Sequence, residues 1–225
     1  MMMHGALLPL RPTVKEAVRF QNHLRGRLAL EDSPGPVRTI AACDVSIYGE
    51  HARGQACLFS YPGLDFIEEA GAQSMIEFPY VPGLLSFREA PVLLEAVKNL
   101  KTAPDLFIFD GHGIAHPRRM GIAAHMGIIL GKPSIGCAKT RLCGVYDEPG
   151  GEKGAFTRLF DDEGNVIGAV LRTRKNVKPV FVSQGNMVSL ERALRIVISC
   201  CVKYRLPEPV RLAHKLAGEK ARSDA

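Results

Sequence analysis

The run LFIFD, Leu106 to Asp110, limits most severely what this chain can fold into. Four consecutive apolar residues leave no face of a strand for water, so the strand must be covered on both sides, as central strands of parallel sheets are. An acid ends the run and Gly111 follows it. Pro133 to Ala138 (PSIGCA) is a second buried run of the same kind, and Met120 to Leu130 between them reads as a helix. Strand, helix and strand in that order make a crossover unit, which places helices over the sheet.

Upstream the pattern is different. Val37 to Ile47 (VRTIAACDVSI) reads as a strand with Asp44 in its second half. GQACLFSYPG and LDFIEEAGAQSMIEF read as two more, joined by the turn Tyr61-Pro62-Gly63, so the three form an antiparallel meander. Thr13 to Leu28 has helical spacing, ended by the stretch from Gly26 to Pro34. Glu89 to Leu100 repeats that spacing at Ala90, Leu93, Leu94, Val97 and Leu100, with Arg88-Glu89 at or near its first turn. Beyond Gly150 come three short strands (AFTRLF, NVIGAVLRT, PVFVS), a helix from Ser189 to Val202, and a short helix after Pro207-Glu208-Pro209. The fold class is α/β, a mixed central sheet flanked by helices. No linker is long enough to divide it, so residues 1–225 read as one domain with loose ends at 1–10 and 219–225.

A hydrophobic content of 46% and a charged content of 23% are those of a globular protein. No apolar run reaches the roughly 18 residues of a membrane span. The start MMMHGALLPLRP has neither a cationic leader region nor a small-residue cleavage site, so a cytoplasmic location is expected. The six cysteines show no CxxC pair and no zinc spacing, and read as buried, reduced thiols. A net charge of +6 suggests an anionic partner, and its spread (Arg118-Arg119, Lys139, Arg141, Arg172 to Lys178, Arg211, Lys215) would suit a basic groove made by several loops.

Three acids have comparable addresses. Asp44 lies on the first strand, Glu89 at the start of a helix, and Asp110 at the carboxyl end of a strand, where open α/β sheets collect ligands. If the Asp44 and Asp110 strands are neighbours, their carboxylates face each other and would take up protons unless cations intervene. Mg²⁺ prefers such oxygen ligands, and a two-metal site could activate water and stabilise a leaving oxygen. Taken singly, each acid also has a structural use: ending a strand, favouring a helix N-terminus, or opening a turn. DGHGIAHPR adds two glycines, His116 and basic residues directly after Asp110, while Lys139 follows the second buried strand and would suit a phosphate. FPYVPGLLSFREAP is a proline-stiffened apolar loop beside a charged pair, unusual for a solvated connection.

CDVSI, FPYVPGLLSFREAP, DGHGIAHPRRMGIAAHMG, IGCAKTRLCG, FVSQGNMVSL and RLPEPVRLAH, in that order, resemble the endonuclease V family, deoxyinosine 3′-endonucleases of DNA repair with a ribonuclease H-like fold. The resemblance implies Mg²⁺-dependent hydrolysis, with Mn²⁺ as a substitute, at the second phosphodiester bond 3′ to deoxyinosine, leaving 3′-hydroxyl and 5′-phosphate ends. It implies Asp44, Asp110 and Glu89 at the metal, with Lys139 and His214 completing the catalytic set. Tyr80 and Pro82 match a wedge, and Arg88, His116 and Lys139 match residues contacting DNA. Gly83, Leu84, Leu85, Gly111, Gly121 and Ile122 match a pocket for the extruded base. The partner implied is DNA containing deaminated bases, acted on by a monomer away from any membrane. Inosine-containing RNA, another structure-specific nuclease activity, or a non-catalytic binding module are the alternatives. His112, Cys43, Gln184 and Asn186 depart from the family pattern.

Overall fold

The computed structural model describes residues 7–223. Helix α1 (Val14–Leu24) starts at a reciprocal cap, in which Glu16 N donates to Thr13 Oγ1 and Thr13 N donates to Glu16 Oε2. A single 3-10 turn, Arg25–Arg27, ends it. Strands β1 (Thr39–Tyr48), β2 (His51–Ser60) and β3 (Phe66–Met75) form the expected antiparallel meander. After α2 (Leu85–Lys98) come β4 (Leu106–Phe109), α3 (Ile122–Leu130) and β5 (Ser134–Ala138), with β4 parallel to both β1 and β5. The remaining elements are β6 (Phe156–Phe160), β7 (Val166–Leu171), β8 (Val180–Asn186), α4 (Leu190–Ser199) and α5 (Glu208–Ser223).

All eight strands share one mixed sheet in the order β3-β2-β1-β4-β5-β8-β7-β6. β4 lies inside it with all four residues buried, which is why its sequence shows no alternation. Residues of one parity, including Ile40, Ala42, Leu106 and Ile108, pack under α4 and α5. Those of the other, including Ala41, Cys43, Phe107 and Phe109, pack under α2 and α3. Five cysteines are buried, Cys143 is half-buried, and no disulfide links any two of them. No described helix is long and apolar enough to cross a membrane.

Two helices and the N-terminal segment differ from the sequence reading. Helix α2 begins at Leu85, so Glu89 stands in its second turn and Pro91 inside it. Leu84 offers no side-chain cap, and Pro91 cannot donate to the carbonyl one turn back. Burial supplies what local propensity lacks, because Phe87 packs with Ala17, Phe78 and Leu84 in a satellite core. Helix α5 is not short: it crosses β1 and β2 and continues through residues 219–223, where the sequence suggests a loose tail. At the other end, residues 1–6 lie outside the described part, while Leu7 is buried and its carbonyl accepts from His125 Nε2 at 2.9 Å.

The loop after β4 is folded tightly onto the end of β8. Gly113 N donates to Ser183 Oγ at 2.8 Å and Ile114 N to Gln184 O at 2.7 Å. A Cβ on Gly113 would lie 1.9 Å from the Gln184 carbonyl oxygen, so backbone must move to admit it. Gly113→Ala is therefore expected to destabilise the protein by about 1–3 kcal/mol. A lower urea midpoint with an unchanged slope is the result that supports this.

Candidate active site

The site forms where β4 stops and β1 continues. Cys43 pairs with Phe109 in the parallel register, so the next residues, Asp44 and Asp110, leave the two strands side by side. Asp110 N still donates to Cys43 O at 3.3 Å. Both acids share the parity of Ile40, Ala42, Leu106 and Ile108, which directs them toward the face covered by α5. From α5, His214 Nδ1–H donates to Asp44 Oδ2 at 2.6 Å. From the end of β5, Lys139 places Nζ 2.5 Å from Asp110 Oδ2. Arg205 fixes that lysine from behind, donating from Nη2 to the Lys139 carbonyl at 2.6 Å.

Carboxylate oxygens of Asp44 and Asp110 and a ring nitrogen of His214 lie within 4.8 Å of one another. That group differs from the expected metal set by including His214 in place of Glu89. Glu89 approaches from α2, on the opposite face of the sheet, near enough for its charge to couple to both acids. Burial, then Asp44 and Asp110, push its carboxyl up to about 8, against the opposing charge of Arg88. Asp44 is raised by burial and by Asp110, with His214 acting the other way. Three carboxyl groups thus share a confined space with one fixed cation, Lys139, and one neighbouring donor, His214. Such a donor set, rich in hard oxygens and short of positive charge, fits a divalent cation.

Beside the acids is a cavity of about 130 Å³, lined by Gly83, Leu85, Gly111, Gly121 and Ile122, with Tyr80 and Pro82 at its lip. Tyr80 is 71% exposed. Backbone forms much of the wall. A Cβ on Gly121 would lie 2.2 Å from His112 O, and one on Gly111 would lie 2.6 Å from Ile122 Cγ2. Gly83 turns the chain with φ +77°. Leu84, expected in this wall, is instead buried in the core with Ala17, Phe78 and Phe87.

Two further expectations change. His116 is 3% exposed, and both its ring nitrogens are engaged: Nε2 bonds Gly83 O at 2.8 Å, and Nδ1 accepts from Arg118 N at 3.0 Å. It borders the cavity by holding the loop that forms it. Arg88 turns away from the cavity to donate to Phe78 O at 3.0 Å, and its Nε is buried without a hydrogen-bond partner among the described residues. Of the scattered basic residues, several are structural. Arg119 pairs with Asp161, and Arg172 clamps the carbonyls of Gly150, Pro149 and Val177. Arg211 and Lys215 do meet, with His214, along a groove against Val45–Tyr48 next to the acids.

Known proteins share this arrangement of elements. The family model described as Endonuclease V matches residues 22–215. An endonuclease V of a Roseiflexus species is 48% identical over 209 residues, covering 93% of this chain and 94% of that protein. The crystal structure of the Streptomyces avermitilis endonuclease V superposes with a TM-score of 0.90 at 38% identity, covering 94% of each chain. The chain belongs to the endonuclease V family. As an endonuclease V it is a nuclease, a hydrolase of the phosphodiester backbone. The Ciona intestinalis endonuclease V, solved in complex with a 23-mer DNA containing an inosine followed by a ribo-adenosine, is 27% identical with a TM-score of 0.82, covering 94% of this chain and 98% of that one. Within this endonuclease V fold, the departures Gln184 and Asn186 have structural tasks. Gln184 Nε2 donates to Leu30 O and Val188 O, and Asn186 Oδ1 accepts from Ala29 N.

The raised carboxyl of Glu89 has a measurable consequence. Folded protein keeps that proton up to about pH 8, whereas the unfolded chain releases it near 4.5. Between those values the folded state binds more protons, so stability falls as pH rises. Half-buried His112 and buried His116 and His125 are held below their ordinary 6.5 chiefly by desolvation and act in the opposite sense, below that pH. From pH 6.5 to 8 the chelator-treated protein should therefore lose stability, and Glu89→Gln should flatten the decline. Urea midpoints at the two pH values decide it, and an equal slope in the variant would refute the assignment.

Proposed function

We propose that this endonuclease V recognises deoxyinosine and hydrolyses the second phosphodiester bond on its 3′ side. The observation that carries the reading is adjacency: Asp110 belongs to the acid cluster, and Gly111 is already a wall of the cavity. Tyr80, exposed at the lip and flanked by Pro79 and Pro82, would enter the helix where the base leaves and replace part of the lost stacking. Unstacking costs least at a weakly paired lesion, which itself favours deaminated bases. A wall built of backbone can exclude the exocyclic amino group of guanine. It can also read the O6 acceptor and N1–H donor that distinguish hypoxanthine from adenine. The complex of the Ciona intestinalis protein with inosine-containing DNA supports this class of substrate.

Asp44, Asp110 and His214 would hold the metal, for which Mg²⁺ is the natural ion, and Glu89 would add its carboxylate from the other side. When bound, the ion neutralises charge on the phosphate and lowers the cost of ionising water. The chain's own groups do the rest. Lys139 exchanges its contact with Asp110 for a phosphate oxygen. His214 Nδ1–H keeps Asp44 oriented, and Asp110 is fixed through its backbone to β1. Water adds to phosphorus, the P–O3′ bond breaks, and the ends are a 3′-hydroxyl and a 5′-phosphate.

Because the Ciona substrate carries a ribonucleotide directly after the inosine, inosine in RNA is the second reading, to be run alongside. A labelled duplex with one deoxyinosine should be nicked in Mg²⁺ at the second bond 3′ of the lesion, with undamaged duplex largely spared. Asp110→Ala should abolish cutting and retain binding. Well-folded protein that leaves the inosine duplex intact sinks the proposal, and cutting confined to inosine RNA selects the second reading.

Lys139 and the metal compete for Asp110 in free protein. Lys139→Met is accordingly expected to bind Mn²⁺ more tightly than wild type without nucleic acid, by roughly tenfold for one removed neighbouring charge. Electron paramagnetic resonance of free Mn²⁺ measures it, and equal or weaker binding contradicts the competition.

A further inference from the structure

We infer that Gln21, on α1 and outside every segment implicated above, sets the separation of the cavity's two walls and so its selectivity. The inference deepens the proposed function, since it takes the cavity to be the base pocket. Gln21 is wholly buried, at 0% exposure. Its Nε2 donates to Gly83 O at 3.0 Å and to Met120 O at 3.0 Å, and its Oε1 accepts from Arg118 Nε at 2.5 Å.

Those partners are not equivalent. Gly83 closes the loop that follows the Tyr80 wedge, while Met120 immediately precedes Gly121 and Ile122, which form a second stretch of the cavity's wall. One amide group, carrying two hydrogens, spends one on each wall. Its oxygen holds Arg118, which in turn donates from Nη2 to the same Gly83 carbonyl at 2.8 Å. A side chain from a third element thereby clamps both walls, and neither can shift without breaking a buried hydrogen bond.

Glutamine alone among the common residues of this length suits the position. Glutamate would oppose two carbonyl oxygens with a carboxylate, and methionine would remove the donor to Met120 O and the link to Gly83 O, which would keep only His116 and Arg118. Neither change touches Asp44, Glu89, Asp110, Lys139 or His214. The walls would loosen while the cleavage groups stay in place. A wider cavity discriminates less between a base with an exocyclic amino group and one without it.

The test compares wild type with Gln21→Met, and with Gln21→Glu should the methionine variant fail to fold. Hydrogen exchange is followed in peptides spanning Gly83–Leu85 and Met120–Ile122, and cleavage on duplexes with deoxyinosine or with guanine at the same mismatched site. Faster exchange at both walls is expected. The inosine-to-guanine ratio of kcat/KM should fall about tenfold, and kcat on inosine should change less than about threefold. Mn²⁺ affinity should be unchanged. Unchanged exchange at both walls, or equal loss on both duplexes with a matching loss of kcat, overturns the inference. Wild type without inosine preference refutes the proposed function instead, and the exchange measurement then decides the clamp alone.

Discussion

Everything in the site depends on one register, the pairing of Cys43 with Phe109 across the parallel β1–β4 ladder. It brings Asp44 and Asp110 out of the sheet together on one face. β4 ends there while β1 runs on to Tyr48, leaving open space beside the acids. A slip by one residue would turn one carboxylate toward α2 and α3 and bury it in the apolar core beneath them. The register is protected against that slip by the core itself, since Ile40 and Ala42, or Leu106 and Ile108, would change faces with the acid of the strand that slipped. Hydrophobic packing under α4 and α5 thus holds two like charges where they repel.

That repulsion is answered from two directions and added to from a third. Lys139 comes from β5 and His214 from α5 to meet it, while Glu89 from α2 adds a third carboxyl, so elements on both faces of the sheet converge on the end of β4. In the free protein Lys139 occupies a carboxylate oxygen that a cation would also seek. The cluster is consequently poised rather than relaxed: its groups are best satisfied only when more positive charge arrives.

How much of this could be read in the chain varies with the cause. LFIFD and PSIGCA announced buried strands because burial on both faces leaves a direct trace in composition, and the acid at the end of the first followed from that. The neighbourhood of Asp44 and Asp110 depended on strand order, which periodicity leaves open and the sheet settles. The start of α2 was hidden because Leu84 and Leu85 offer no cap and prolines stand on both sides; Phe87 buried against Phe78 and Ala17 decides it. Leu84 was misplaced in the pocket for the same reason. Arg205 behind Lys139 has no local signature, since its partners Lys139 and Pro179 are far away in the chain. The length of α5 was obscured by its lysines and arginines, which look like a solvated tail until β1 and β2 are placed beneath it.

The earlier start of α2 also changes how recognition and cleavage are joined. Were Glu89 the first helical residue, the distance from pocket to acids would be set by a loop with proline at Pro82 and a glycine at Gly83. Instead Leu85 lines the cavity and Glu89 reaches the acids from the same helix, four residues on. Residues at that spacing lie on one helix face, about 6 Å apart along the axis. A helical turn is far stiffer than any loop of that length, and Phe87 anchors this one in a packed core. On the other side Asp110 and Gly111 are consecutive, so the second link is a single peptide unit. Two short rigid connections, one on each side of the cavity, leave the spacing between pocket and acids almost no freedom. The proposed cut at a fixed offset from a held base requires that constraint, and here it is built from backbone rather than from mobile side chains.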